Sequence, residues 1–301
     1  MTKLKFMIPL FGGVLALLIP TRIFQLFFAV NPTTGFYESN HFSIILMAVL
    51  LVGGAVALFV LAFLSRKEIV AEEALLSKGV GVTAGLLALS FLLSAGYVFV
   101  NGSFSFWVNT LLSLVGFGSA AFFVLVCLNS FGVILGGTEQ VFPFLSVCPI
   151  LFSVIRLIAS YMQYTTITNI SEYLFDILTM VGMMLFYLAN GRICSNTNPT
   201  RGYRRLFTVG VIAALLCGAT ILPRGIALLS GMEVFISELN LFSLTDLCTA
   251  AYIIALAATF IYTGAPASPE QDSAQPMPFR FGQGENFKGE APASQEDHQA
   301  I

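Results

Sequence analysis

The chain has 301 residues, of which 57% are hydrophobic and only 10% charged, with 14 Lys and Arg against 16 Asp and Glu. An ordinary soluble domain carries about 25% charge, so this composition excludes a water-soluble globule. The net charge of −2 offers no basic surface for nucleic acid.

Apolar segments fill the chain from residue 6 to residue 262: 6–28, 42–64, 79–100, 107–131, 143–163, 172–189, 206–229 and 241–262. A hydrocarbon core of about 30 Å takes about 20 helical residues at about 1.5 Å each. Strands of a membrane barrel would alternate over about ten residues instead. The expected fold is all-α, a polytopic transmembrane helical bundle of eight spans occupying residues 1–263. Each span satisfies its own backbone hydrogen bonds, as lipid requires.

Met1 to Lys5 followed by an apolar run resembles a signal peptide. No A-x-A-like site follows, so the run is expected to stay as the first span. After the second span, Ser65-Arg-Lys-Glu68 has a capping-box pattern and predicts, over 65–78, a short interfacial helix or an N-terminal extension of the third span. Gly81 and Gly85, Gly116 and Ala120, and Gly210 and Ala214 have the spacing that lets helices pack closely. Asn190-Gly191 reads as a left-handed stop for the sixth span, and Asn196-Thr-Asn-Pro199 as a loop. Cys127, Cys148, Cys194, Cys217 and Cys248 stand singly, without a C-x-x-C, and read as small buried hydrophobes.

Residues 264–301 form a separate segment rich in Pro, Gly, Ser and Gln, with six acids against Arg280 and Lys288. Such a composition cannot bury enough apolar surface to fold, and a disordered acidic tail is expected. Within it, Met277-Pro-Phe-Arg-Phe281 is the one stretch with the character of a docking motif for a cytoplasmic protein.

Short loops set the orientation. Lys3, Lys5, Arg66, Lys67, Lys78, Arg192, Arg201, Arg204 and Arg205 fall on one side, whereas loops 29–41, 101–106, 164–171 and 230–240 contain no Lys or Arg. Both termini are therefore expected in the cytoplasm, with the bundle in a cell membrane, a bacterial plasma membrane by its general layout.

Consecutive spans form four hairpins, and three of them share a charge pattern. Arg22, Arg156 and Arg224 lie near the outer end of an outgoing helix, and Glu38, Glu172 and Glu238 follow 16, 16 and 14 residues later. Asp176 and Asp246 lie deeper in the returning helices of the last two hairpins. The pattern reads as four hairpin repeats in parallel orientation around an axis along the membrane normal.

An intramembrane charge costs up to about 2.5–3.5 kcal/mol, so each Arg needs a partner or water. Counting residues from the external turns places Arg156 level with Asp176, and Arg224 level with Asp246, within their own hairpins. Ser153, Arg156, Ser160 and Gln163 share one helix face; Glu172, Asp176 and Thr179 share another.

The charges admit two readings. Each Arg neutralises the acid of its own hairpin and fixes helix register, or the charges line a polar cavity open to the external side. In the second reading the candidate ligand-binding residues are Arg22, Glu38, Arg156, Ser160, Gln163, Glu172, Asp176, Arg224, Glu238 and Asp246. The corresponding function is a transport or permease-like protein for a small polar or anionic ligand. The alternative is a non-catalytic sensing or assembly module that uses the cytoplasmic tail.

No enzyme chemistry is expected. G-x-S-x-G, H-E-x-x-H, P-loop and D-D-x-x-D patterns do not occur, and the two histidines are His41 and His298. No catalytic residue, metal or cofactor is therefore assigned. The lipid bilayer itself is the first expected partner.

Overall fold

The computed structural model describes residues 3–29, 42–65, 77–102, 104–133, 138–164, 170–194, 199–231 and 241–263. Every regular element among them is helical. A short turn of 3-10 helix (Lys3–Phe6) leads into α1 (Met7–Phe28) and α2 (Phe42–Leu64). Then come α3 (Lys78–Asn101), α4 (Phe106–Ser130), α5 (Thr138–Leu145), α6 (Cys148–Tyr164), α7 (Ile170–Cys194), α8 (Pro199–Leu229) and α9 (Leu241–Thr263). Eight helical segments are long and apolar enough to cross a membrane, which marks a multi-pass membrane protein. The proposed 65–78 helix, Glu38, Glu238, both histidines and the tail lie outside the described residues.

Three spans depart from their expected bounds. The fifth is broken at Ser146-Val147 into α5 and α6. Pro149 has no N–H to offer the Leu145 carbonyl, so a continuous helix would lose that bond. Instead Ser146 N donates to Phe142 O at 3.0 Å, Val147 N to Phe144 O at 3.1 Å, and Ser146 Oγ to Pro143 O at 2.6 Å. The seventh begins at Pro199, the helix position where proline costs least, and so takes in Arg201, Arg204 and Arg205.

The sixth span runs through Asn190-Gly191 to Cys194, so the expected stop there is incorrect. Gly191 serves close approach instead. A Cβ on it would sit 3.1 Å from Ile150 Cδ1 and 3.5 Å from Ser146 O, at the broken start of α6. Among the described residues, the glycines that end helices in the left-handed conformation are Gly132 (φ +78°) and Gly231 (φ +82°). After α4, Val133 N bonds Leu128 O and Gly132 N bonds Asn129 O, both at 3.0 Å, satisfying carbonyls that the helix leaves open.

Six helices close a ring. Helix α3 packs on α4, α4 on α6, α6 on α7, α7 on α8, α8 on α9, and α9 returns to α3. Hairpins two, three and four thus surround a common axis, with α6 directly opposite α9. Hairpin one stands outside, with both of its helices against α8, the most enclosed of the eight segments. On α2, Ser43, Met47, Leu51, Gly54, Leu58 and Ala62 recur at spacings of three and four and face inward. The opposite stripe, including Ile45, Val49, Val56 and Phe59, is exposed to the surroundings. The charge pattern groups hairpins one, three and four, whereas the ring groups two, three and four. The four hairpins are not equivalent, and the arrangement lends a four-unit repeat no support.

Aromatic rings fill the axis. Phe91 of α3 stacks on Phe123 of α4 at 5.7 Å and meets the edge of Phe152 of α6 at 5.1 Å. Phe123 also reaches Tyr252 of α9 at 5.5 Å. Small residues let the backbones come close enough for this. A Cβ on Gly116 would lie 2.8 Å from Ala95 Cβ, and one on Gly210 would lie 3.0 Å from Ile253 Cγ2. Gly116→Leu is therefore expected to destabilise the protein by about 1–3 kcal/mol. A thermal melt of the purified protein checks this; an unchanged midpoint would mean that α3 and α4 can separate freely.

Candidate functional site

Among the residues whose side chains are described, five charged ones come from helix positions within about 12 Å of the end away from the basic loops, at about 1.5 Å per residue: Arg22, Arg156, Asp176, Arg224 and Asp246. None is splayed onto the apolar exterior. Arg22 is 0%, Arg224 3%, Asp246 7% and Arg156 8% exposed. Neighbouring protein shields the charges from the surroundings, as their cost in hydrocarbon demands.

Their pairing differs from the expectation. Arg156 does not pair with Asp176 of its own hairpin. It crosses the ring to Asp246 of α9, with Nη1 donating to Oδ1 and Nη2 to Oδ2, both at 2.6 Å. Arg224 turns to Asp176 of the neighbouring hairpin instead of Asp246, with Nη1–Oδ1 also 2.6 Å. The physical reason is that depth alone is degenerate. Two arginines and two acids lie in one layer, so each Arg has two acids within reach by height, and helix rotation selects. Arg156 and Asp246 face the axis, whereas Asp176 faces α8.

The Arg156–Asp246 pair has a built environment. The guanidinium lies over the Phe242 ring, 4.8 Å from its centroid, one turn from Asp246 on the same face of α9. Phe242 in turn reaches Phe152 at 6.2 Å, so aromatic rings pack against the pair. A cavity of about 10 Å³ lies beside it, lined by Ser153, Met180, Tyr187 and Thr245 among others. That is room for the centre of one water molecule.

Beside the pair and inward of it, hydroxyls continue along the axis. Thr245 Oγ1 is 2.7 Å from Ser94 Oγ. Thr249 Oγ1 donates to Thr245 O at 2.7 Å and lies 2.6 Å from Tyr187 Oη. Since Thr249 has one hydroxyl hydrogen, Tyr187 is the donor in that contact. Cys217 of α8 places its Sγ 3.3 Å from the Asp246 carbonyl oxygen.

Arg22 joins the second cluster. Its Nη1 donates to Gln25 Oε1 at 2.6 Å, and its guanidinium lies 4.5 Å from the centroid of Phe175. Phe175 immediately precedes Asp176, so Arg22 and Arg224 both reach the same turn of α7. Ser160 is buried on α6, one turn outward of Arg156. Gln163 and Glu172 sit in α6 and α7, and their side chains lie outside the described residues. Among the described residues, no cluster of three His, Cys, Asp or Glu has a metal-binding arrangement.

The partners that sequence reasoning missed are Gln25, Ser94, Phe175, Tyr187, Phe242, Thr245 and Thr249. A signal existed for some of them. Phe242 and Asp246, like Thr245 and Thr249, stand four apart in an apolar helix and so share a face. Comparison with protein-family models, curated proteins and solved structures found no match. The reading of the site therefore stands on its geometry.

Proposed function

We propose that this is a transport-like, non-catalytic membrane protein that admits a small polar or anionic solute along the axis of its six-helix ring. The Arg156–Asp246 pair is the outer gate, and the basic end faces the cytoplasm. One observation carries the reading: the pair bridges helices on opposite sides of the ring, so nothing travels along the axis until it opens.

The chemistry of opening follows from the pair. A guanidinium presents parallel N–H donors that fit a carboxylate or phosphate in two-point contact. An anionic solute that replaces the Asp246 carboxylate on Arg156 keeps the guanidinium satisfied while α6 and α9 separate. The solute shifts the equilibrium only by its preference for the open state over the closed one. The Ser94 and Thr245 hydroxyls lie beside the pair, and those of Thr249 and Tyr187 offer the next polar contacts inward.

The small cavity favours a second reading, in which the two ion pairs lock helix register and the bundle is a scaffold for sensing or assembly through its tail. A thiol-accessibility experiment separates the two. In a background with its native cysteines replaced, Thr249→Cys, one turn inward of the pair, is labelled with a membrane-impermeant reagent from the outer side. Gating predicts slow labelling that rises about tenfold or more when Asp246→Asn weakens the pair. No labelling in either protein, with both folded by thermal melt, would leave the scaffold reading.

A further inference from the structure

The basic end of the bundle carries a groove that the axial site does not use. Ile8 and Phe11 of α1, Val211 and Ala214 of α8, and Ala257 and Ile261 of α9 line it, and its volume is about 260 Å³. Its walls are apolar throughout, and the small Ala214 and Ala257 side chains leave the space that larger residues would fill. On α8 the lining runs from Phe207 to Ala214 and on α9 from Ile253 to Tyr262. At about 1.5 Å per residue, those stretches are about 10 and 14 Å long. That is close to one leaflet's share of a hydrocarbon core of about 30 Å. The depth fits an acyl chain, and it stops short of the full membrane height that a packed transmembrane helix would use.

Cations stand at the mouth. Lys5 lies one turn before Ile8 and is exposed. Arg204 lies one turn before Phe207 on the α8 face that lines the groove; it is half-buried, and its buried Nε has no hydrogen-bond partner among the described residues. Side chains of a helix lean toward its N-terminus, and α1 and α8 both begin at this end. Both cations therefore lean outward, to the level of lipid headgroups. The exposed Tyr262 ring lines the same mouth, where aromatic residues gather at membrane interfaces. The 3-10 turn before α1, the first turn of α8 and the last turn of α9 contain no acid to neutralise these charges.

We propose that this groove is a binding site for one anionic phospholipid, with an acyl chain along α1, α8 and α9 and the phosphate held by Lys5 and Arg204. Apolar walls below, and above them two cations with no acid beside them among the described residues, match the two halves of such a lipid. A zwitterionic lipid brings its own ammonium and gains less at the mouth. The site lies apart from the Arg156–Asp246 gate, so its occupancy is independent of the transport reading.

The test uses the full chain, purified in neutral detergent and supplied with phosphatidylglycerol or phosphatidylcholine of the same acyl length. Native mass spectrometry counts the lipids retained. One phosphatidylglycerol per chain is expected to persist where phosphatidylcholine is lost. Neutralising each cation, in Lys5→Gln and Arg204→Gln, is expected to weaken retention about fivefold, and both together more. Ala257→Phe, which fills the groove and leaves the cations in place, is expected to abolish retention.

Equal retention of the two lipids by the wild-type chain would overturn the proposal without recourse to any variant. So would undiminished phosphatidylglycerol binding in Ala257→Phe, or a persistent dimer mass that Ala257→Phe disrupts while lipid retention stays unchanged, since the occupant would then be a second copy.

Discussion

Asp246→Ala is expected to destabilise the folded protein by about 3–5 kcal/mol, the cost of leaving a buried guanidinium without its counter-charge. Arg156 is 8% exposed and donates two hydrogen bonds to that one carboxylate, so the substitution removes both at once. The cost lies in taking this carboxylate from a buried guanidinium more than in the net worth of the pair. Replacing both partners by apolar side chains of similar size, in Arg156→Met with Asp246→Leu, is therefore expected to recover most of the loss. Reversible unfolding in mixed detergent and lipid micelles measures all three proteins. A single-variant cost below about 1 kcal/mol would mean that water already solvates the pair.

Phe91→Ala is expected to cost about 3–5 kcal/mol as well, for a different reason. Phe91 is fully buried on the axis, where it touches Phe123, Phe152 and Tyr187. Removing its ring opens a void that four helices from two hairpins cannot easily close. The exposed Val56 on the outer stripe of α2 gives the contrast, since Val56→Ala is expected to change stability by no more than about 0.5 kcal/mol. If the two substitutions cost the same, the ring axis is not the packed core.

The spans were legible because hydrocarbon thickness sets their length and apolar composition reveals it. The bounds of α1, α2, α3, α4 and α9 fall within one residue of the segments read from hydropathy. The fifth span was less legible because Pro143 and Pro149 are apolar in a hydropathy profile. Only the bond that Pro149 cannot make shows that the helix breaks at Ser146-Val147. Asn190-Gly191 misled because glycine has two uses that sequence does not separate. It can adopt a left-handed end, as Gly132 does, or admit a neighbour within a helix, as Gly191 does.

The charges were legible as a layer and illegible as pairs. Their burial follows from the cost of charge in hydrocarbon, which any single sequence shows. Which acid each Arg takes depends on the rotation of α6, α7, α8 and α9 about their own axes, and on the ring that sets α6 against α9. Neither is encoded in spacing within one hairpin. Hairpin two illustrates the same limit: its external end, Tyr97 to Trp107, has no charge, yet Ser94 and Phe91 bring it into the site.

A double-mutant cycle in unfolding free energy tests the crossed pairing most directly. It compares Arg156 and Asp246 with Arg156 and Asp176, each residue replaced by alanine singly and together. The account predicts a coupling of about 1.5–3 kcal/mol for Arg156 with Asp246, and for Arg156 with Asp176 a value within about 0.5 kcal/mol of zero. The reverse ranking would contradict it, returning each Arg to the acid of its own hairpin and removing the crossbar from the ring.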